Sequence, residues 1–281
     1  TLQWNRHHRQ LAMSDTIAVL LHFAGEQIRQ IGTLPRIFSS GFTVGIFGKH
    51  LNDGYTANNP DCPPVGVDRW FANGGGTYFS PSFNNASAGG GPPNHVHYNN
   101  CSYGPNGGCY STSVIANETI SWITGLRRDG DKRPFMAYVA PKAPHIEDGN
   151  GWPMAQPAPW YNDSTLFAGI LAPRTPNWIF PRPTITGERA LMIYFTRYLA
   201  HYLLSLARRL VRTQPPMTEE QRQHSDELYR ARWLALLSVD DMVEGLVDAV
   251  TRLGELQSTF FMFTSVRLHY SAGACVTTTP T

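Results

Sequence analysis

The sequence predicts an α/β protein with a mostly parallel central sheet, and three stretches carry that expectation. Leu34 to Gly48 reads as a short helix, a break at Gly41, a β-rich run from Phe42 to Phe47 and a turn at Gly48. Pro134 to Ala140 (PFMAYVA) is a continuous apolar run with turn signals on both sides, as a strand buried on both faces requires. The third stretch joins a long amphipathic helix, stopped by Gly254, to a strand from Thr259 to Ser265. Helix then strand, repeated along the chain, is the pattern of layered α/β architecture.

Taken in order, residues 1–33 combine a basic start (Arg6, His7, His8, Arg9) with an apolar stretch from Thr16 to Ala24. They show no cap or periodicity and are treated as an atypical N-terminal segment without an assigned role. The main domain is expected over 34–265. Within it, residues 52–113 are rich in Gly, Asn, Pro and Ser, with Gly74-Gly75-Gly76 and Gly89-Gly90-Gly91 among scattered aromatics. Such text is expected to be a long surface excursion. Tyr110 to Leu126 reads as a helix started by Ser111 or Thr112 and carrying Val114, Ile115, Ile120 and Ile123. Residues 181–213 hold six arginines against Glu188 alone; 181–210 is set apart as an atypical basic insert, and 189–212 would form a basic amphipathic helix. From Pro215 the PPMTEEQ text opens the long helix by Pro, Thr and Glu start signals. Residues 266–281 form an atypical tail.

Composition narrows the function classes. With 281 residues, 42% hydrophobic and 16% charged, the chain can bury a large core, and a net charge of +2 gives no electrostatic case for a nucleic-acid binder. The longest apolar stretch, Ala190 to Ala207, is broken by Arg197 and His201, so no transmembrane span is expected. A signal peptide is not visible and the N-terminus reads as incomplete. Cys62, Cys101, Cys109 and Cys275 form no CxxC pair, which excludes a thiolate zinc site; no metal ligands are assigned. Cys101 and Cys109 bracket a short Gly/Asn/Pro loop and either close it as a disulfide or remain two thiols. Acceptor sequons start at Asn85, Asn100, Asn117 and Asn162. Together these features lean toward the secretory pathway, extracellular or lysosomal.

Ligands of open α/β sheets gather beyond the carboxyl ends of strands, so the turns after the three strands are the places for chemistry. They hold Gly48-Lys49-His50-Leu51-Asn52, Pro141-Lys142-Ala143-Pro144-His145 and Ser265-Val266-Arg267. Of the 23 Lys and Arg residues only Lys49, Lys132 and Lys142 are lysines, so a lysine in such a turn invites a reason. Lys49, beside a glycine, can present a compact charge to sulfate or phosphate, or be an ordinary solvated turn lysine. His145, flanked by prolines, can serve an oxyanion or a leaving group, or be a satisfied loop histidine. Asp240 and Asp241 lie inside the long helix and are read as structural.

At these residues the sequence resembles a known family. LPRIFSSGFTVGIFGKHLN, RPFMAYVAPKAPH, PAPWY with APRTPN, PPMTEEQRQHSDELYRARWLALLSVDDMVEGLVDAV and LQSTFFMFTS are similar to successive blocks of the type I sulfatases, nearest to the N-acetylglucosamine-6-sulfatase-like arylsulfatases. The likeness covers about residues 34–178 and 211–265. It implies an alkaline-phosphatase-like α/β/α sandwich, here incomplete, and hydrolysis of sulfuric esters in sulfated glycans or aryl sulfates. It further implies a formylglycine nucleophile made from the cysteine of a CxPSR motif, bound calcium, and a Lys/His cradle around the sulfate. Lys49 matches the cradle lysine and His145 the sulfate-binding histidine; no catalytic nucleophile is assigned, and His50 and Asn52 are given no role.

Departures from the family pattern shape the expectation further. Residues 1–33 contain no cysteine and only Asp15 and Glu26 as acids, while Cys62-Pro-Pro-Val lacks the Ser-Arg of the nucleophile motif. Where the family supplies Asp and Asn for calcium after the last strand, Ser265 runs into Val266-Arg267-Leu268. A guanidinium there would repel the metal. The arginine-rich text at both ends and in the middle reads as mispredicted or retained intronic coding sequence. The expectation is a sulfatase-family chain that is inactive as it stands, with two alternatives: a pseudoenzyme that binds sulfated glycans, and an interaction protein using the basic helix.

Overall fold

In the computed structural model the described residues are 17–23, 41–49, 66–87, 94–102, 108–147, 153–162, 165–174, 178 and 215–265. Among the described residues seven strands form one sheet: β1 (Ile17–Phe23), β2 (Thr43–Lys49), β3 (Arg69–Asn73), β4 (Ser82–Ser87), β5 (Asn94–His97), β6 (Phe135–Ala140) and β7 (Thr259–Ser265). The main helices are α1 (Ser111–Arg128) and α2 (Glu219–Arg252). Strand order is β5-β4-β3-β2-β6-β1-β7. Pairing is parallel from β3 through β2, β6 and β1 to β7, and antiparallel where β4 and β5 extend the β3 edge. This is the mostly parallel α/β class that the apolar runs predict.

β2 and β6 are buried along their whole length, and this explains why both read as unbroken apolar text. Alternate residues feed two cores. One face contributes Phe47, Phe71, Phe135, Ala137 and Val139 to a cluster with Val114, Ile115 and Ile123 of α1 and Ala235, Val239, Met242, Leu246 and Val250 of α2. The other face gathers Val44, Ile46, Trp70, Met136, Tyr138 and Ala140. Gly48 sits where the pairing is tightest: its φ is +92°, and a Cβ there would stand 2.2 Å from the Ala140 carbonyl oxygen.

Two regions differ from the sequence-based expectation. Residues 17–23, which no cap or periodicity marks, supply β1, an interior strand between β6 and β7. Part of 52–113, expected as a surface excursion, is instead β3, β4 and β5, and it buries Trp70, Phe71, Tyr78 and Phe83. Those scattered aromatics are core residues: Phe71 and Phe83 stack at 4.3 Å, with the Tyr98 ring edge-on at 5.9 Å from Phe71. α1 starts one residue after Tyr110, which gives no side-chain cap; Ser111 and Thr112 lie buried in the first turn.

Contacts divide the chain into two units, residues 1–165 with 231–281, and Leu166–Arg230, the boundary falling inside α2. In the first, Arg127 of α1 grips Glu255 at 2.6 Å, and Asp241 accepts from Trp160 Nε1 (3.2 Å) and Tyr161 Oη (2.6 Å). Asp241 is therefore a bracing residue of the Pro159–Tyr161 turn. In the second unit, Thr218 and Gln221 exchange hydrogen bonds in a capping box that starts α2, and Asp226 receives the Ala172 amide (2.9 Å) and the Arg174 guanidinium (2.6 Å). Residues 179–214, and with them the basic stretch 189–212, lie outside the described residues, as do 1–16, 24–40 and 266–281.

Candidate functional site

After β2 the chain winds outward through β3, β4 and β5, then returns by α1 to β6 on the opposite side of β2. β2 and β6 are thus the adjacent parallel strands at which the winding reverses, and the crevice beyond their carboxyl ends is where open α/β sheets hold ligands. The register sets Gly48 beside Ala140, so Lys49 and the Pro141–His145 turn emerge side by side. Lys49 and Lys142 are each only 7% exposed, whereas His145 is exposed. The Ala143–Pro144 peptide is cis.

The two residues singled out in the sequence come together. Partial burial of the ring, followed by the charges of Lys49, Lys142 and Arg232, holds the His145 pKa below its ordinary value, against the opposing pull of the Ile146 carbonyl. His145 Nδ1 donates to that carbonyl at 2.6 Å. Lys142 Nζ donates to the Gly76 carbonyl at 2.7 Å and stands 5.6 Å over the Tyr78 ring, while Tyr78 Oη donates to the His145 carbonyl at 2.7 Å. Glu147 accepts from the Tyr78 amide at 2.8 Å. The edge therefore carries three cations and an imidazole, an arrangement suited to a tetrahedral anion.

Sequence reasoning missed Lys142 and Arg232 as members of this edge. Lysine scarcity was the available signal for Lys142; Arg232 sits on α2 and only tertiary packing brings its charge to His145. His50 and Asn52 lie outside the described residues. Among the described residues no three His, Cys, Asp or Glu side chains cluster as a dication would need. Cys62 and the Val266-Arg267 step after β7 lie outside the described residues.

The remaining candidates fall elsewhere. Cys101 and Cys109 are joined by a disulfide, with Cα atoms 4.9 Å apart. Asn85 is half-buried on β4, where its Oδ1 accepts from the Arg69 guanidinium, whereas Asn100, Asn117 and Asn162 are exposed. None of the described helices is long and apolar enough to cross a membrane.

A mostly parallel α/β sheet with a cationic edge defines the class, and comparison with known proteins gives the family. The Sulfatase family model matches residues 5–271, and the chain belongs to the sulfatase family. It is 29% identical over 246 residues to human N-acetylglucosamine-6-sulfatase, covering 85% of this chain and 37% of that one. An arylsulfatase of Volvox carteri is 26% identical over 181 residues, 62% of this chain and 26% of the relative. The chain thus spans well under half the length of these relatives. Among solved structures, YidJ of Bacteroides fragilis is 21% identical with a TM-score of 0.46, covering 82% of this chain and 42% of that one. A protein solved with its substrate D-glucosamine-2-N,6-O-disulfate is 20% identical with a TM-score of 0.43, covering 81% and 47%.

Proposed function

We propose that the carboxyl edge of β2 and β6 is a sulfate cradle in which the Lys49 ammonium and the His145 imidazole grip the ester sulfate of a sulfated glycan or an aryl sulfate. The observation that carries this reading is the emergence of both residues from neighbouring parallel strands, close enough for the Lys49 charge to act on His145. Family membership supports a sulfuric ester as the ligand class, and the N-acetylglucosamine-6-sulfatase relatives favour a 6-sulfated glucosamine. The Cys101–Cys109 disulfide and the exposed sequons favour the extracellular or lysosomal lumen.

Hydrolysis is a separate matter. The 281 residues contain no CxPSR run from which a formylglycine is made, and no other described side chain at the edge is an activated nucleophile. We therefore expect this chain to bind a sulfate ester without turning it over. Titration calorimetry with N-acetylglucosamine 6-sulfate should give saturable binding that weakens with salt and is lost in Lys49→Ala. An aryl sulfate assay with calcium and the formylglycine-generating enzyme should stay at the blank. Absence of binding, or binding indifferent to Lys49→Ala, overturns the cradle; turnover overturns the inactive reading.

A further inference from the structure

We propose that Lys142 is the positioning residue of the cradle: by holding the Gly74–Tyr78 turn against the segment that carries His145, it fixes where the Lys49 ammonium stands. The inference rests on the sulfate reading of the same edge. The last registered pair of β2 and β3 is Lys49 with Asn73, so the triple-glycine turn begins directly beside Lys49. Asn73, itself buried, ties the turn down from its own side. Its Oδ1 accepts from the Gly75 amide at 3.1 Å and its Nδ2 donates to the Ser82 carbonyl at 3.0 Å.

Gly75 has φ +124°, and a Cβ there would stand 3.4 Å from Lys49 Cε and 3.6 Å from Nζ. The turn thus packs along the end of the lysine side chain: a methyl group at Gly75 would only touch it, but an L residue resists a φ of +124°, so the substitution would shift the turn and with it the contact to the ammonium. Across the turn, Lys142 Nζ binds the Gly76 carbonyl at 2.7 Å, and Tyr78 binds the His145 carbonyl and Glu147. One short turn therefore touches Lys49 on one side and is fastened to the His145 segment on the other. Burying an ammonium costs desolvation that a neutral side chain avoids, so a lysine 7% exposed in this tie points to its charge-assisted bond and its cation–π contact as the reason for its presence.

The test uses the full chain with inorganic sulfate as the probe, and Lys142→Met, Lys142→Arg and Gly75→Ala as variants. Two readouts are taken: sulfate affinity, and the proton–nitrogen NMR signal of the Lys49 ammonium, assigned by its loss in Lys49→Arg. Lys142→Met is expected to broaden or shift the Lys49 signal and to weaken sulfate binding about tenfold or more, as loss of positioning does, with Lys142→Arg restoring most of both. Gly75→Ala, which leaves Lys142 intact, is expected to perturb the same signal and affinity, and it reads the coupling should Lys142→Met fail to fold. A Lys49 signal and a sulfate affinity both within about twofold of wild type in a folded Lys142 or Gly75 variant overturn the inference. A wild type that binds no sulfate but shows the Lys49 response overturns the sulfate reading alone and leaves the positioning role standing.

Discussion

Sulfate binding at this edge is expected to take up a proton, and His145 is where it goes. The Ile146 carbonyl can only accept, so the Nδ1 that meets it at 2.6 Å carries the hydrogen. In the neutral ring Nε2 is then a bare lone pair, which repels a sulfate oxygen; only the imidazolium donates from both nitrogens. Partial burial and the charges of Lys49, Lys142 and Arg232 hold the pKa below the ordinary histidine value, so at neutral pH the ring is mostly uncharged. Affinity should therefore rise as pH falls through the neutral range, by at most about tenfold per unit for one linked proton, and level off below the folded-state pKa. The sign for stability is opposite. The unfolded chain binds the proton more readily, so the ligand-free protein loses stability as pH drops below about 6.5. Calorimetric titration of inorganic sulfate in two buffers of different ionisation heat reads the proton count directly. A pH-independent affinity, or a slope that survives in His145→Gln, refutes the reasoning.

Two further predictions concern the frame around the site. Gly48→Ala should destabilise the chain by on the order of 3 kcal/mol or more, since the new Cβ meets the Ala140 carbonyl and the residue must keep a left-handed φ. An unchanged denaturant midpoint would refute the close approach of β2 and β6 at that point. Asp131, hydrogen-bonded by Arg133 and by Thr43 at the start of β2, has its pKa lowered to about 2. The stability this contributes is present above the unfolded value of about 4 and lost as pH falls toward 2, about 1 kcal/mol after solvent screening. Asp131→Asn should flatten that part of the acid-denaturation profile, and an unaltered profile would sink the assignment.

Legibility follows burial. β2 and β6 stand out because continuous apolar text between turn signals has to be buried somewhere, and a short buried run is most economically a strand; β7 reads the same way from its text although Phe260, Met262 and Phe263 are exposed. α2 is marked by the Thr218–Gln221 box at one end and Gly254 at the other. β1 carries equally apolar text, IAVLLHF, but neither flank punctuates it, so only its neighbours β6 and β7 identify it as a strand. The β3–β5 region is hard to read because its strands are short and set in Gly- and Asn-rich text; the aromatic residues Trp70, Phe71 and Phe83 are the signal that something there is buried. Lys49 and His145 are legible as turn residues after strands. Lys142 is legible as a turn lysine but its role is not, and Arg232 is not legible at all, because what they do depends on where a glycine turn and a distant helix come to rest.

The placement of β1 also bears on how the chain acquires its shape. Ile17 lies opposite Thr259, so two strands separated by roughly 240 residues must find each other, which makes the ladder slow to close. During synthesis β1 has nothing to hydrogen-bond until β6 emerges, and its other edge stays bare until β7 follows. Until both have formed, β1 offers unpaired backbone edges on which another strand can add.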